Sequence, residues 1–164
     1  MIFKIKKHNS TLYNTLLTLS RNLYFYNTIK LKDTFETRIY LMFMHFSIML
    51  IASKKRNDIF PQTYYDNLFH SIENNLRELG QGDVAVNKKM KELVRLFNEI
   101  LLYCETWDKT ELNHKIKYLT GLFKENDKKN INIDKLLVYI DNFVVNIELM
   151  SLNLLLKGII KIKK

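Results

Sequence analysis

The sequence contains few of the residues that cross-link or interrupt a fold. Of its 164 residues, one is cysteine, one is proline and four are glycine. The lone Cys104 excludes an internal disulfide and a thiolate cluster for zinc or iron–sulfur. This cysteine usage fits a reducing compartment, and we expect neither a metal nor a cofactor.

Long hydrophobic runs are also absent. The longest, residues 39–52, spans 14 positions and includes His45 and Ser47, whereas a transmembrane helix needs about 20 apolar residues. The opening MIFKIKKHNS is basic but lacks the apolar block and cleavage site of a secretory signal. We therefore expect neither a membrane span nor a secretory signal.

Acidic residues are scarce only in the N-terminal third. Residues 1–56 hold ten Lys/Arg against two acids, whereas residues 57–164 hold sixteen against fifteen. Nearly all of the net charge of +9 therefore lies in the first third. Such a field attracts anionic lipid, nucleic acid or acidic partners, or it serves solubility alone.

Apolar residues recur at helical spacing along the chain, and strand signals are scarce. We predict an all-α, single-domain bundle over residues 1–164, with about six helices, short connections, a core over about 12–106 and a helical extension over 107–164. The predicted helices lie at about 10–22, 34–54, 61–79, 87–106, 108–125 and 132–157. Short connections make neighbouring helices antiparallel.

Several residues predict how these helices begin and how they pack. Ser10 suits the N-cap of the first helix, and Asp33 with Glu36 three residues later matches a capping box for the second. The second helix is apolar nearly all round, which is typical of a central core helix. Leu79 and Leu102 fall on the predicted buried stripes of the third and fourth helices.

Two of the four glycines lie in one short joint, LRELGQGDV at residues 76–84. Gly80 falls where a helix C-terminus favours positive φ, and Gly82 permits a second bend. Asp83 can accept N–H groups from the turn or the next helix, while Arg77 lies four residues after Glu73. No preceding strand and no following Lys-Ser/Thr are present, so a phosphate-binding loop is excluded.

Catalytic arrangements are not evident in the sequence. The four histidines are scattered, and neither His-x3-His, Cys-His nor Ser-His-Asp spacing occurs. His45, within an apolar helix, is typical of a hydrogen-bonded core histidine, and Cys104 of a small buried hydrophobe. We predict no catalytic residue and no enzymatic activity.

A polar set flanks the predicted third helix and has two interpretations. Its charged groups either form an ion-pair network locking helices two, three and four, or line a groove that receives a polar client segment. Structural locking is favoured for Glu73 and Arg77, and both readings stay open for the rest. The set comprises Arg38, Asp66, Glu73, Arg77, Glu78 and Asp83.

Three blocks of residues, in order and at compatible spacing, resemble the ubiquinol–cytochrome c chaperone family over residues 12 to about 103. The blocks are LY at 12–13, SR at 20–21 and FY at 25–26; DTFETR at 33–38 with Leu41 and His45; and YD at 65–66, Phe69, LRELGQGD at 76–83, Val86, Lys88 and MK at 90–91. Family members usually carry glycine where Thr37 stands, a hydrophobic residue where Gln81 stands and Gly-Val-Pro before Asp33.

The resemblance implies a non-catalytic assembly chaperone for ubiquinol–cytochrome c reductase. It implies binding of newly made cytochrome b, held for haem insertion, with the ribosome and a small assembly protein as further partners and no DNA. The expected location is the cytoplasm of a bacterium, peripheral to the inner membrane at anionic lipid, or the mitochondrial matrix in eukaryotic relatives. The matching positions implied to bind client or partner are Arg21, Tyr26, Asp33, Arg38, His45, Asp66, Arg77, Glu78, Gly80, Gly82, Asp83 and Lys88.

A basic N-terminal third also suits a different function, an RNA- or ribosome-binding module. Its binding would fall steeply with salt, because neutralised phosphates release counterions. The cations available to it are Lys4, Lys6, Lys7, Arg21, Lys30, Lys32, Lys54, Lys55 and Arg56.

Overall fold

The computed structural model describes residues 11–124 and 130–158. Within them the all-α prediction is confirmed, and no strand is present. The predicted N-cap at Ser10 lies outside the described residues. The α-helices are α1 Thr11–Ser20, α2 Phe35–Lys55, α3 Gln62–Glu78, α4 Asp83–Glu105, α5 Leu112–Leu122, α6 Ile133–Glu148 and α7 Leu152–Leu156.

Helix α2 is the centre of the bundle, as its all-round apolar sequence predicts. It packs against α1, α4 and α6, and most of its residues are buried. Phe43 of α2, Phe69 of α3 and Phe97 of α4 meet with ring centroids 5.3–5.6 Å apart. By length and composition alone, α2 is also apolar enough to span a membrane, but 67% of its most apolar window is buried inside the bundle.

The start of α2 differs from the predicted capping box. Thr34, in extended conformation, is the N-cap, and its side-chain oxygen accepts the Thr37 N–H at 3.1 Å. Asp33 instead pairs with Arg38. Thr34 therefore satisfies an open N–H of the first turn, which leaves the Asp33 carboxylate for a charged partner.

The connection between α1 and α2 is longer than predicted and carries its own structure. A five-residue π-helix covers Tyr24–Thr28, an uncommon geometry often found at functional sites. Lys30 follows with a φ of 70°, and the buried Ile29 carbonyl accepts the Asn132 N–H at 2.8 Å. That bond ties this connection to the start of α6.

Boundaries elsewhere shift for local reasons. Helix α4 begins at Asp83, four residues earlier than predicted, because Gly82 acts as its N-cap and accepts the Val86 N–H at 3.0 Å. The predicted fifth helix starts as a 3-10 turn, Trp107–Lys109, before α5. The predicted sixth helix breaks into α6 and α7, where Ser151 caps the second piece.

Candidate interaction site

The joint between α3 and α4, residues 79–82, is built as a helix C-terminal motif. Gly80 has a φ of +85°, as predicted. Its N–H donates to the Arg77 carbonyl at 2.9 Å, and the Gln81 N–H donates to the Leu76 carbonyl at 3.4 Å. These are the two hydrogen bonds of a Schellman motif, which satisfies carbonyls that a helix end leaves open.

Arg77 spans this joint with its guanidinium. One nitrogen donates to Glu73 Oε1 at 2.8 Å, and the other pairs with the Asp83 carboxylate on the first turn of α4. The two carboxylates raise the pKa of Arg77, with the Glu73 hydrogen bond as the larger cause. The part of the predicted ion-pair network that joins helices three and four is therefore present, and Asp83 accepts from Arg77.

Two apolar side chains project from the joint into solvent. Leu79, predicted to be buried, is 66% exposed, and Val84 is 85% exposed. Leu79 is the C-cap of α3, so the chain turns away from the bundle before its side chain reaches the core. The exposure of Val84 could not be predicted from the sequence, because a single exposed valine does not disturb the apolar periodicity of a helix.

Leu102 of α4, also predicted to be buried, is 66% exposed as well.

Gly82 is not required by the fold. Its φ of −72° is open to any residue, and an added Cβ meets no atom within 4 Å. Its bare backbone instead leaves the surface between Leu79 and Val84 open to close approach, a role that glycine often has at binding sites. We define the joint surface as Glu78, Leu79, Gly82, Asp83 and Val84 together with the Arg77 clamp.

A second cluster joins four of the predicted site residues. Arg38 Nε and Nη2 donate to the two oxygens of Asp33 at 2.6 and 2.8 Å. This hydrogen bonding lowers the pKa of Asp33 and raises that of Arg38. Burial, and then the Asp33 charge, raise the pKa of Tyr26, whose hydroxyl donates to the Ser20 carbonyl. The Arg21 charge also acts on Asp33 and Tyr26.

This cluster separates Arg38 from the polar set around α3. The sequence allowed one network across helices two, three and four, but Arg38 pairs with Asp33 and Arg77 with Glu73 and Asp83. Asp66 accepts from Gln62 at 3.1 Å within α3. The network is thus divided among separate local contacts.

His45 lies in the core, as its apolar helix predicts. Its Nδ1 is 2.6 Å from the Leu41 carbonyl and its Nε2 is 2.7 Å from the Tyr139 hydroxyl. Because a carbonyl only accepts, Nδ1 carries the proton and Nε2 accepts from Tyr139. Burial lowers the pKa of His45 to about 4, so the ring is neutral near pH 7. A client cannot reach this ring without opening the bundle.

The basic residues of the first third divide into groups. Lys54 pairs with Glu105, Lys55 with Asp108 and Glu148, and Arg56 with Asp58. These three cations are therefore partly neutralised by the protein's own carboxylates. Arg21, Lys30 and Lys32 are exposed, as is Lys88 on α4. Lys4, Lys6 and Lys7 lie outside the described residues.

The described residues offer little reactive chemistry. Across residues 11–124 and 130–158, no group of three or more His, Cys, Asp or Glu is arranged to hold a metal. Cys104 is buried, as predicted, and burial raises the pKa of its thiol to about 12. A thiol in that state is a poor nucleophile near neutral pH.

One family profile matches the chain. The ubiquinol–cytochrome C chaperone profile covers residues 27–116, more than half of the 164 positions, so the chain belongs to that family. The matched range includes ten of the twelve predicted site residues and leaves out Arg21 and Tyr26. No curated protein and no solved structure matched the chain. Membership in a chaperone family supports an assembly role and not a catalytic one.

Proposed function

We propose, with membership of the ubiquinol–cytochrome c chaperone family as the premise, that the protein binds newly made cytochrome b. It holds this subunit for haem insertion and passes it on to the assembly of ubiquinol–cytochrome c reductase. The observation that carries the proposal is the joint surface, which lies inside the matched range and exposes apolar groups beside a fixed set of charges.

The chemistry of the joint surface suits an immature membrane subunit. Leu79 and Val84 present apolar groups to solvent, and exposed apolar groups rimmed by polar ones often mark interaction sites. The bare backbone at Gly82 lets a client chain approach closely. Glu78 and Asp83 supply carboxylates for polar groups that border an apolar client segment.

Arg77 prepares this surface for binding. Because two carboxylates already hold its guanidinium, the Arg77 side chain is positioned before a client arrives. A surface that is ordered before binding loses less conformational entropy when the client arrives. Gly80 contributes the tight turn that brings Arg77 and Asp83 together.

The proposed location follows the proposed client. We place the protein in the cytoplasm of a bacterium, peripheral to the inner membrane, with the mitochondrial matrix as the counterpart in eukaryotic relatives. Leu23, 68% exposed, and Tyr24 lie between the exposed cations Arg21 and Lys30. Apolar and aromatic side chains beside cations suit the surface of an anionic membrane.

Binding to the ribosome or RNA is the second candidate function. The sequence supports it through the charge of residues 1–56. Three of the nine cations on which it depends are engaged by carboxylates of the protein. RNA affinity that is absent, or that does not change with salt, would remove this candidate.

A deletion strain tests the proposed function directly. We expect loss of the gene to lower haem-bearing cytochrome b and the assembled reductase, measured by absorbance spectra and by native electrophoresis of membranes. The wild-type chain should restore both, and a Leu79→Ser/Val84→Ser variant should restore neither. The control is Leu102→Ser/Leu112→Ser, which removes two comparably exposed leucines elsewhere. Normal reductase in the deletion strain would refute the proposal.

A further inference from the structure

A groove of about 690 Å³ is lined mainly by residues of α4 and α5. Tyr40 of α2 also lines it. Its volume lies in the range of about 300–1,000 Å³ that is usual for ligand-binding clefts. None of its lining residues belongs to the joint surface, and part of the lining lies beyond residue 116, where the family match ends.

One wall of the groove is an aromatic stack. The rings of Tyr103 on α4 and Tyr118 on α5 lie parallel, with centroids 3.5 Å apart and an interplanar angle of 9°. The Tyr103 hydroxyl donates to the His114 carbonyl at 3.0 Å, which fixes that ring in place. Because the stack and this hydrogen bond already position the rings, less conformational entropy is lost when a partner binds against them.

Gly121 leaves the groove open along α5. It lies in the last turn of the helix and lines the groove, and an added Cβ would meet no atom within 4 Å. Its φ is not in the left-handed region, so neither the backbone nor the packing of the described residues requires glycine. Glycine in a helix costs stability relative to alanine, and here it keeps space free.

The charges on the groove favour an acidic partner. Lys117 and Lys124 line it against one acid, Glu99. None of the three forms a salt bridge with another residue in the described part of the chain. Lysines that have no acidic partner among the described residues, and that lie beside an apolar wall, attract carboxylates and set the orientation of the partner that carries them.

We propose that this groove binds an acidic amphipathic helix of a second protein. A third helix can pack its apolar ridge into the channel between α4 and α5, as amphipathic helices do in other hydrophobic grooves. Its leucine or aromatic side chains lie against the tyrosine stack and the space at Gly121, and its Asp or Glu residues face Lys117 and Lys124. The chain's own basic start, with Lys4, Lys6 and Lys7, lacks the complementary charge.

The test uses two synthetic helical peptides of about five turns, each with a leucine and phenylalanine stripe, one with glutamates and one with lysines beside it. Binding to the full chain is measured by fluorescence anisotropy. The glutamate peptide should bind and the lysine peptide should not. Gly121→Leu should abolish binding by filling the groove. Lys117→Glu/Lys124→Glu should weaken it about tenfold or more.

Matched variants separate this result from general charge effects. Lys109→Glu/Lys135→Glu makes the same charge change at two exposed lysines outside the groove and should leave binding unchanged. The proposal is overturned if neither peptide binds, if the lysine peptide binds equally well, or if Gly121→Leu binds as wild type does. It is also overturned if a uridine oligonucleotide occupies the groove instead, or if light scattering finds dimers that Gly121→Leu dissociates.

Discussion

The burial of His45 beside Tyr139 makes the free energy of unfolding depend on pH, in the range between the pKa values of His45 in the unfolded and folded states. Burial lowers the pKa of His45 from 6.5 in the unfolded chain to about 4 in the folded protein. Above pH 6.5 both states hold a neutral ring and the free energy of unfolding is unaffected. As the pH falls from 6.5 towards 4, the unfolded chain binds a proton that the folded protein excludes, and stability is lost.

The size of this loss follows from the shift in pKa. One pKa unit corresponds to about 1.4 kcal/mol, so His45 alone should remove about 3 kcal/mol between pH 7 and pH 4. Typical domains have only about 5–15 kcal/mol of stability. The protein should therefore unfold at a markedly lower urea concentration at pH 4.

The assay is urea unfolding followed by far-ultraviolet circular dichroism at pH 7, 5.5 and 4. His45→Met/Tyr139→Phe is the reference, because it removes both partners of the buried hydrogen bond together and should cost little at pH 7. Tyr139→Phe alone leaves the Nε2 acceptor unpaired and should cost about 1–3 kcal/mol. If wild type and the double variant lost equal stability between pH 7 and pH 4, the proposed protonation of His45 would be wrong.

The remaining predictions concern the joint and the groove and are measured by thermal or urea unfolding. Gly80→Ala should lower the free energy of unfolding by about 1 kcal/mol, because the positive φ at this position is strained for alanine. Gly82→Ser should stay within about 0.5 kcal/mol of wild type, since the φ and surroundings of Gly82 admit a side chain and serine suits an N-cap; a loss equal to that of Gly80→Ala would contradict the joint geometry. Gln81→Leu should raise the free energy of unfolding by about 0.5 kcal/mol, because leucine supplies the apolar contact to Leu76 that accompanies a Schellman motif. A destabilised variant would show that residue 81 does not lie against Leu76. Gly121→Ala should add up to about 1 kcal/mol, and a destabilised variant would show that α5 packs more tightly there.

Local sequence patterns predicted the helices well because each depends on neighbours along the chain. The all-round apolar sequence of α2 indicated a central helix, and the position of Gly80 indicated its positive φ. The spacing of Glu73 and Arg77 likewise indicated an ion pair within one helix face. In each case the interaction lies within a few residues, so the pattern contains most of the information.

Contacts that depend on the whole fold were harder to predict from the sequence. The predicted cap Asp33 pairs with Arg38 in the folded chain, and Thr34, which was not predicted, caps α2 instead. Leu79 matched the helical stripe, but its exposure depends on the direction in which the chain leaves α3. The groove between α4 and α5 has no signature in the sequence, because its lining comes from three separate helices that meet only in the folded chain.

Crosslinking from the joint surface tests the central claim most directly. A photoreactive amino acid at position 84 is compared with the same residue at position 102, two exposed sites at opposite ends of α4. We predict that newly made cytochrome b is crosslinked from position 84 and not from position 102. Equal crosslinking from both positions, or from position 102 alone, would contradict the assignment of the joint as the client-binding surface.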